Sequence, residues 1–330
     1  MPKVRFFDPG LTYVKIRNEM RDAIDYVLTK GDLILRQDVE DFEAKLAEYV
    51  GTKYAVGVAS GTDAIILSLV AAGVKPGDEV ITTSHSFRAT VEAIHHVGAK
   101  PVLVDLGEDW KKAITPLTKA VIPAHIAGEV TDWEPVPGIT MIEDACQAIG
   151  AAPIKGLTAC YSFYPAKVLG CYGDGGGIAT NDERLYERLK IMRNHYKGDW
   201  GPVGYNSRLD NLQAAVLNIK MKYLPAAIKR RKEVAEMYDK GLAHLPVGRP
   251  LEREVYQDYI ITCENREAMY AYLQNRGIET MKNEYPYPST VRKGPKSLEY
   301  EAKSLRLPCN PDLTDEEVAY VITTINEFFV

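Results

Sequence analysis

Between residues 54 and 144 of this 330-residue chain, short apolar runs alternate with stretches of helical periodicity. YAVGV (54–58) precedes the helix-like DAIILSLVAAG, and EVITT (79–83) precedes FRATVEAIHHVG. PVLVD (101–105), AVIPA (120–124) and ITMIED (139–144) follow in turn. Strands that are apolar throughout, with helices between several of them, have to be buried on both faces. The pattern therefore predicts an α/β fold with a mostly parallel sheet sandwiched by helices. Ligands of such sheets bind outside the carboxyl ends of the strands, so the chemistry is sought there.

A helical tract over 210–242 follows, with a bend expected at Pro225 because proline supplies no N–H to the helix ladder. Beyond it come a β-like VYQDYIITCE, a helix-like REAMYAYLQNRG, the proline-rich YPYPST and a last helix opened by LTDEE, where Thr314 and Glu317 fit a capping box. These predict a large α/β domain over 1–225 and a smaller α+β domain over 226–330. A formal net charge of −5 argues against a general nucleic-acid or anionic-membrane binder, although a small anionic ligand is compatible with it. The five cysteines are scattered and form no C-x-x-C, which suggests reduced thiols rather than a disulfide framework or zinc knuckle. MPKVRFFDPG lacks the apolar stretch of a signal peptide, and the longest apolar run, around 64–74, is too short to span a bilayer, so a soluble cytoplasmic protein is expected.

Four places could carry chemistry. ASGTD (59–63) sits between a strand and a helix, where free N–H groups and the helix dipole favour a phosphate and Gly61 allows close approach; equally, Ser60 or Thr62 could simply cap the helix. In IEDACQ, Glu143 and Asp144 close a strand and Gln147 follows; a strand-end carboxylate can hold a protonated ring nitrogen or cap the next helix. In SHSFRAT (84–90), Phe87 could offer a flat face to an aromatic ligand or belong to the core. His85 has no metal spacing around it, and His95 with His96 suits a helix C-terminus, so no metal site is assigned. The fourth place is YSFYPAKVLGCYGDGGG (161–177), where Lys167 follows an aromatic run; desolvation brings an amine toward the range where it acts as nucleophile or base. The GDGGG after it lacks the dinucleotide-binding spacing, and its glycines suggest a loop that needs room.

Taken in order, SGTDA (60–64), GDEVITTSHSF (77–87), IPAHIAG (122–128), IEDACQAIGA (142–151), YSFYPAKVLGCYGDGGGI (161–178), RNH (193–195), GYNSRLDNLQAAVL (204–217) and LPCNPDLTDEEV (307–318) resemble the DegT/DnrJ/EryC1/StrS family of sugar aminotransferases. The resemblance implies the pyridoxal-phosphate-dependent transferase fold type I, with pyridoxal 5'-phosphate as cofactor and pyridoxamine 5'-phosphate as its aminated form. It makes Lys167 the Schiff-base lysine and Asp144 the partner of the pyridine nitrogen. Phe87 would lie over the ring and Gln147 beside its phenolic side, with Gly61, Thr62 and Ser162 around the phosphate. Asn206 would reach the phosphate of a neighbouring subunit, so a homodimer with shared active sites is implied.

The implied reaction moves an amino group from an L-glutamate-like donor to a keto acceptor, foremost a nucleotide-linked keto sugar. A small 2-oxo acid or keto-cyclitol is the alternative acceptor, and a non-catalytic regulatory protein on the same fold is the alternative of another class. The sequence departs from the family in two ways. Connecting helices are missing after VDLGEDW and after TDWEP, which predicts a trimmed outer layer with intact chemistry. Ala127 stands where the family often has tyrosine and Glu284 where a histidine is common, both expected in or near the substrate region.

Overall fold

The computed structural model describes residues 3–197 and 203–330, so the first two residues of the opening segment lie outside the described residues. Three helices lead in: α1 (Pro9–Lys15), α2 (Arg17–Lys30) and α3 (Gln37–Val50). Then follow β1 (Tyr54–Val58), α4 (Gly61–Ala71), β2 (Glu79–Thr83), α5 (Arg88–His96), β3 (Lys100–Val104), β4 (Thr118–Ile122), β5 (Thr140–Asp144), β6 (Thr158–Ser162), β7 (Gly176–Thr180) and α6 (Glu183–Met192). The long α7 (Asn211–Gly241) leads to β8 (Tyr259–Thr262), α8 (Arg266–Asn275), β9 (Met281–Lys282), α9 (Pro295–Lys303), β10 (Ser304–Leu307) and α10 (Asp315–Phe328).

The large sheet runs β1-β7-β6-β5-β4-β2-β3. Strands β2 to β6 pair in parallel with their neighbours among them, and β7 alone runs antiparallel to both of its neighbours, β1 and β6. Strand alternation sends Ala55, Ala159, Tyr161 and Ala179 to one face, against Phe42 and Leu46 of α3 and Ala214 and Leu217 of α7. Val56, Val58, Cys160 and Ile178 point to the other face, against Ile65, Leu67 and Leu69 of α4. Helix α4 is buried nearly all round, which is why its sequence is a continuous apolar run rather than a striped one.

The trimmed layer is visible. Between β3 and β4 the chain makes only a short 3-10 turn (Trp110–Ala113), and no helix lies between residues 129 and 139. In place of helices, Trp110 stacks on Trp133, ring centroids 5.3 Å apart, and the pair closes this end of the sheet over Ile81, Val104, Val121 and Met141.

Glycines 176 and 177 are not in a loop, as their clustering suggests, but at the start of β7. A Cβ on Gly176 would collide with the backbone of Ser60, and one on Gly177 with Leu46 and Phe163. Close crossing of the β1–α4 turn requires glycine at 176 and side-chain packing on the α3 face requires it at 177; turn geometry requires neither.

The smaller sheet, β8-β10-β9, is antiparallel, and its core includes Tyr238, Tyr259, Leu273, Leu305, Leu307, Val321 and Ile325. Val4 joins this core and bridges to Ile278. Helix α7 serves both cores: residues up to Ile228 pack under the large sheet and residues from Val234 under the small one, with Pro225 just before the change. The capping box of α10 is present, with Thr314 Oγ1 accepting from the Glu317 N–H and Glu317 from the Thr314 N–H. Among the described residues no helix is long and apolar enough to cross a membrane.

Candidate active site

The carboxyl ends of β1, β2, β4, β5 and β6 and one face of the small sheet enclose a cavity of about 620 Å³. Its wall includes Ser60, Gly61, Thr62, Phe87, Asp144, Gln147, Ser162 and Lys167. Of the eight residues that the family resemblance implies for the site, seven, all but Asn206, therefore meet in one place, with Ser60 beside them. Asn206 does not: it is exposed, in an isolated bridge with Asn194, and lines no part of this cavity.

At the β1–α4 turn, Ser60 caps the helix, its Oγ accepting from the Asp63 N–H at 3.1 Å. The capping reading is observed and does not compete with a phosphate seat, since capping Asp63 leaves Gly61 and Thr62, whose N–H groups have no helical acceptor, on the cavity wall. The space a Cβ at Gly61 would take is filled by Cys146 Sγ (2.7 Å) and Ser162 Cβ (2.8 Å). Glycine is thus what lets the helix end press against the end of β6 and bring Ser162 beside the first turn.

Asp144, 6% exposed, ends β5. Its Oδ2 accepts from Thr90 Oγ1 at 2.6 Å and its Oδ1 from the Cys146 N–H at 3.2 Å. Two donors aimed at one buried carboxylate fix its orientation. The neighbouring Glu143 points away, as strand alternation demands. Its carboxylate is desolvated, but His125 Nε2 and the N–H groups of Gly156 and Lys155 hold it below the usual range. The Thr131 N–H donates to His125 Nδ1, leaving Nε2 to donate to Glu143. Burial and the charge of Asp144 push the Cys146 thiol well up, against the smaller opposing effect of Lys167.

Phe87 is 49% exposed at the start of α5 and meets Tyr285 edge-on at 5.9 Å, so it is a wall of the cavity and not a core residue. Gln147 Oε1 accepts from the Ala127 N–H at 2.8 Å, which leaves its amide NH₂ as the donor on the cavity side. Lys167 is half-buried in the turn after β6. Its aromatic neighbours in sequence do not enclose it: Tyr161 and Phe163 point into the core beneath the sheet, and Tyr164 is exposed.

His85 turns out to be structural, buried between Glu301 (2.9 Å) and Asn283 (3.4 Å) outside this cavity. His95 and His96 are exposed on the last turn of α5. No metal-binding group of His, Cys, Asp or Glu occurs among the described residues. Glu284 also lies off the cavity, tied to Arg266 at 2.6 Å; the stretch around it contributes Met281 and Tyr285 instead. Ala127 is buried at φ 57°, with its N–H on Gln147 and its carbonyl receiving the Gln257 N–H.

The small-sheet side of the wall, with Arg231, Asp258, Glu279, Tyr285 and Arg306, was not legible from motifs. The signal for Arg306 was its place in SLRL: Leu305 and Leu307 are buried in the small core, and the residue between them must face the other way.

These residues fit a flat, anionic cofactor. A helix N-terminus with Ser162 beside it suits a phosphate, Asp144 a protonated ring nitrogen, Phe87 a ring face and Lys167 a carbonyl carbon. The model of the DegT/DnrJ/EryC1/StrS aminotransferase family matches residues 14–326. The chain is 36% identical over 367 residues to a pleiotropic regulatory protein of Geobacillus stearothermophilus, covering 99% of this chain and 98% of that one. It is 37% identical over 366 residues to the dTDP-3-amino-3,4,6-trideoxy-alpha-D-glucose transaminase of Streptomyces venezuelae, covering 99% and 96%. Among solved structures, S. venezuelae DesV, crystallised with a ketimine intermediate, superposes with a TM-score of 0.91 at 35% identity, covering 99% of each chain.

Proposed function

Because the chain belongs to the DegT/DnrJ/EryC1/StrS aminotransferase family, and so is a pyridoxal-phosphate-dependent transaminase, we propose that it aminates a nucleotide-linked keto sugar using an L-glutamate-like donor. The observation that carries the reading is the meeting of Lys167, Asp144, Ser162 and the α4 N-terminus on one cavity. The S. venezuelae transaminase supports the choice of a nucleotide sugar.

In this reading the Gly61 and Thr62 N–H groups and the Ser162 hydroxyl bind the phosphate. Phe87 covers one ring face, and Gln147 donates to the phenolic oxygen. The cofactor, when bound, supplies an electron sink for the pair released as the substrate Cα–H bond breaks. Asp144, oriented by Thr90 and the Cys146 N–H, keeps the pyridine nitrogen protonated. Lys167 would hold the cofactor through its Nζ, and as a free amine the same Nζ would take the proton from the substrate Cα. On the keto acceptor the same residue moves the proton in the opposite direction.

Asn206 is assigned to the phosphate of a second copy, which makes the working unit a homodimer. Its exposure outside its own cavity supports this, as do the exposed Leu11, Val14, Tyr26 and Leu28 on α1 and α2. Five free thiols support a cytoplasmic location. The purified protein is expected to be yellow and to lose that colour on L-glutamate alone; the aminated form should then regain it with a nucleotide-linked keto sugar and, among small 2-oxo acids, only with 2-oxoglutarate, which reverses the donor half-reaction. Recovery with other 2-oxo acids and with no keto sugar would move the acceptor to that class.

A further inference from the structure

We propose that Arg306 is the residue that takes a substrate carboxylate in this cavity, and that Asp258 competes with the substrate for it. The inference rests on the transaminase reading in one respect: an amino-acid donor brings at least one carboxylate into the site. Enclosing that charge without a cation costs several kcal/mol, so the wall must supply one.

Among the described residues, three fixed cations line the cavity: Lys167, Arg231 and Arg306. Lys167 is needed at the reacting carbon. Arg231, 4% exposed, is turned into its backbone surroundings, its Nη1 donating to the carbonyls of Tyr256 (3.1 Å), Gln257 (3.2 Å) and Cys309 while its Nε has no partner, and it is less open to the cavity than Arg306, whose side chain is 13% exposed. Arg306 is different. Its Nη1 reaches Asp258 Oδ2 only at 3.4 Å and its Nη2 the Lys282 carbonyl at 3.2 Å, both at the long end for hydrogen bonds. A guanidinium has five N–H donors in a rigid fork, and here that fork is loosely occupied.

The position is built. Arg306 sits on β10, the middle strand of the small sheet, with its neighbours Leu305 and Leu307 anchored in the core behind it. The Tyr285 ring lies 5.4 Å from the guanidinium carbon and restricts its plane. Asp258 is 4% exposed and has Arg306 as its one hydrogen-bonding side-chain partner among the described residues. A substrate carboxylate, meeting the fork in bidentate geometry, makes shorter charge-assisted bonds than this resident pair does. The two carboxylates therefore compete for one arginine, and Asp258 weakens donor binding.

The test uses the holoenzyme and three variants: Arg306→Gln, Arg306→Lys and Asp258→Asn. Calorimetric binding of glutarate, which has no amine to transfer, is the readout independent of turnover; bleaching by L-glutamate, L-glutamine and L-alanine is the second. Arg306→Gln should weaken glutarate and raise the donor KM about 10²-fold, with the cofactor absorbance unchanged, and Arg306→Lys should restore part of the loss. Asp258→Asn should do the reverse and tighten both. Equal losses for all three donors identify the α-carboxylate; a loss confined to L-glutamate identifies the distal one. No glutarate binding to the wild type, undiminished binding to Arg306→Gln, or weakened binding to Asp258→Asn overturns the proposal, whether or not the protein transaminates.

Discussion

Two lysines flank the turn after β6 and differ in surroundings. Lys167 opens onto the cavity, whereas Lys220 on α7 lies beneath the turn, donating to the Gly170 carbonyl at 2.6 Å with its ammonium 4.2 Å from the Tyr172 ring centre. Burial pushes the Lys220 amine down from 10.5 to about 8, against smaller opposing effects of Cys171 and Asp312. Between these values the unfolded chain binds the proton and the folded chain does not, so this group makes stability rise with pH from about 8 to 10.5 and penalises the fold below that window. Lys220→Met should therefore flatten the pH dependence of urea unfolding across pH 7.5–10.5, the difference between the two proteins amounting to roughly 3 kcal/mol at most. Parallel curves would contradict it. Lys220 has no motif around it, and its burial depends on α7 lying under the turn, which local sequence does not encode. Lys167 was legible because the strand, the turn and the glycine run are contiguous in sequence. What sequence could not tell was which way Tyr161 and Phe163 point, since that is decided by the core beneath β6.

At the scale of elements, strands β1 and β2 lie where the apolar runs predict, β3 to β5 within two residues of them, and the helices after β1 and β2 follow from their periodicity. The GDGGG run was misread because glycine in a strand looks like a breaker unless the crossing backbone of Ser60 is known. The missing connections left a face of the sheet to be closed, and the Trp110–Trp133 stack closes it. Trp110 is 3% exposed, so Trp110→Ala should destabilise the protein by about 3–5 kcal/mol in denaturant melts while the remaining folded fraction keeps its cofactor absorbance. Loss of the absorbance ahead of unfolding would mean that this layer supports the site directly. We place the division between the two domains at Pro225, one turn before α7 leaves one core for the other, with the segment around Val4 returning to the smaller one.

For the whole molecule, the large-sheet side of the cavity carries Lys167, Asp144 and Ser162 and the small-sheet side the opposite wall, and only the first was readable as motifs. Asp258 immediately precedes β8 and Arg306 lies on β10, and the pairing of those two strands, not sequence proximity, brings them together. The proposed dimer has its own test: in mixed dimers of Asn206→Ala with Lys167→Ala, one site per dimer should carry both intact residues and regain cofactor-dependent turnover. Absence of any recovery on mixing would confine each site to one chain. The account as a whole stands on the cofactor being carried by Lys167. Borohydride reduction of the purified protein followed by peptide mass mapping tests that directly. The predicted result is a single reduced cofactor on the peptide containing Lys167, lost in Lys167→Ala; attachment at Lys220 or elsewhere, or no attachment at all, would contradict it.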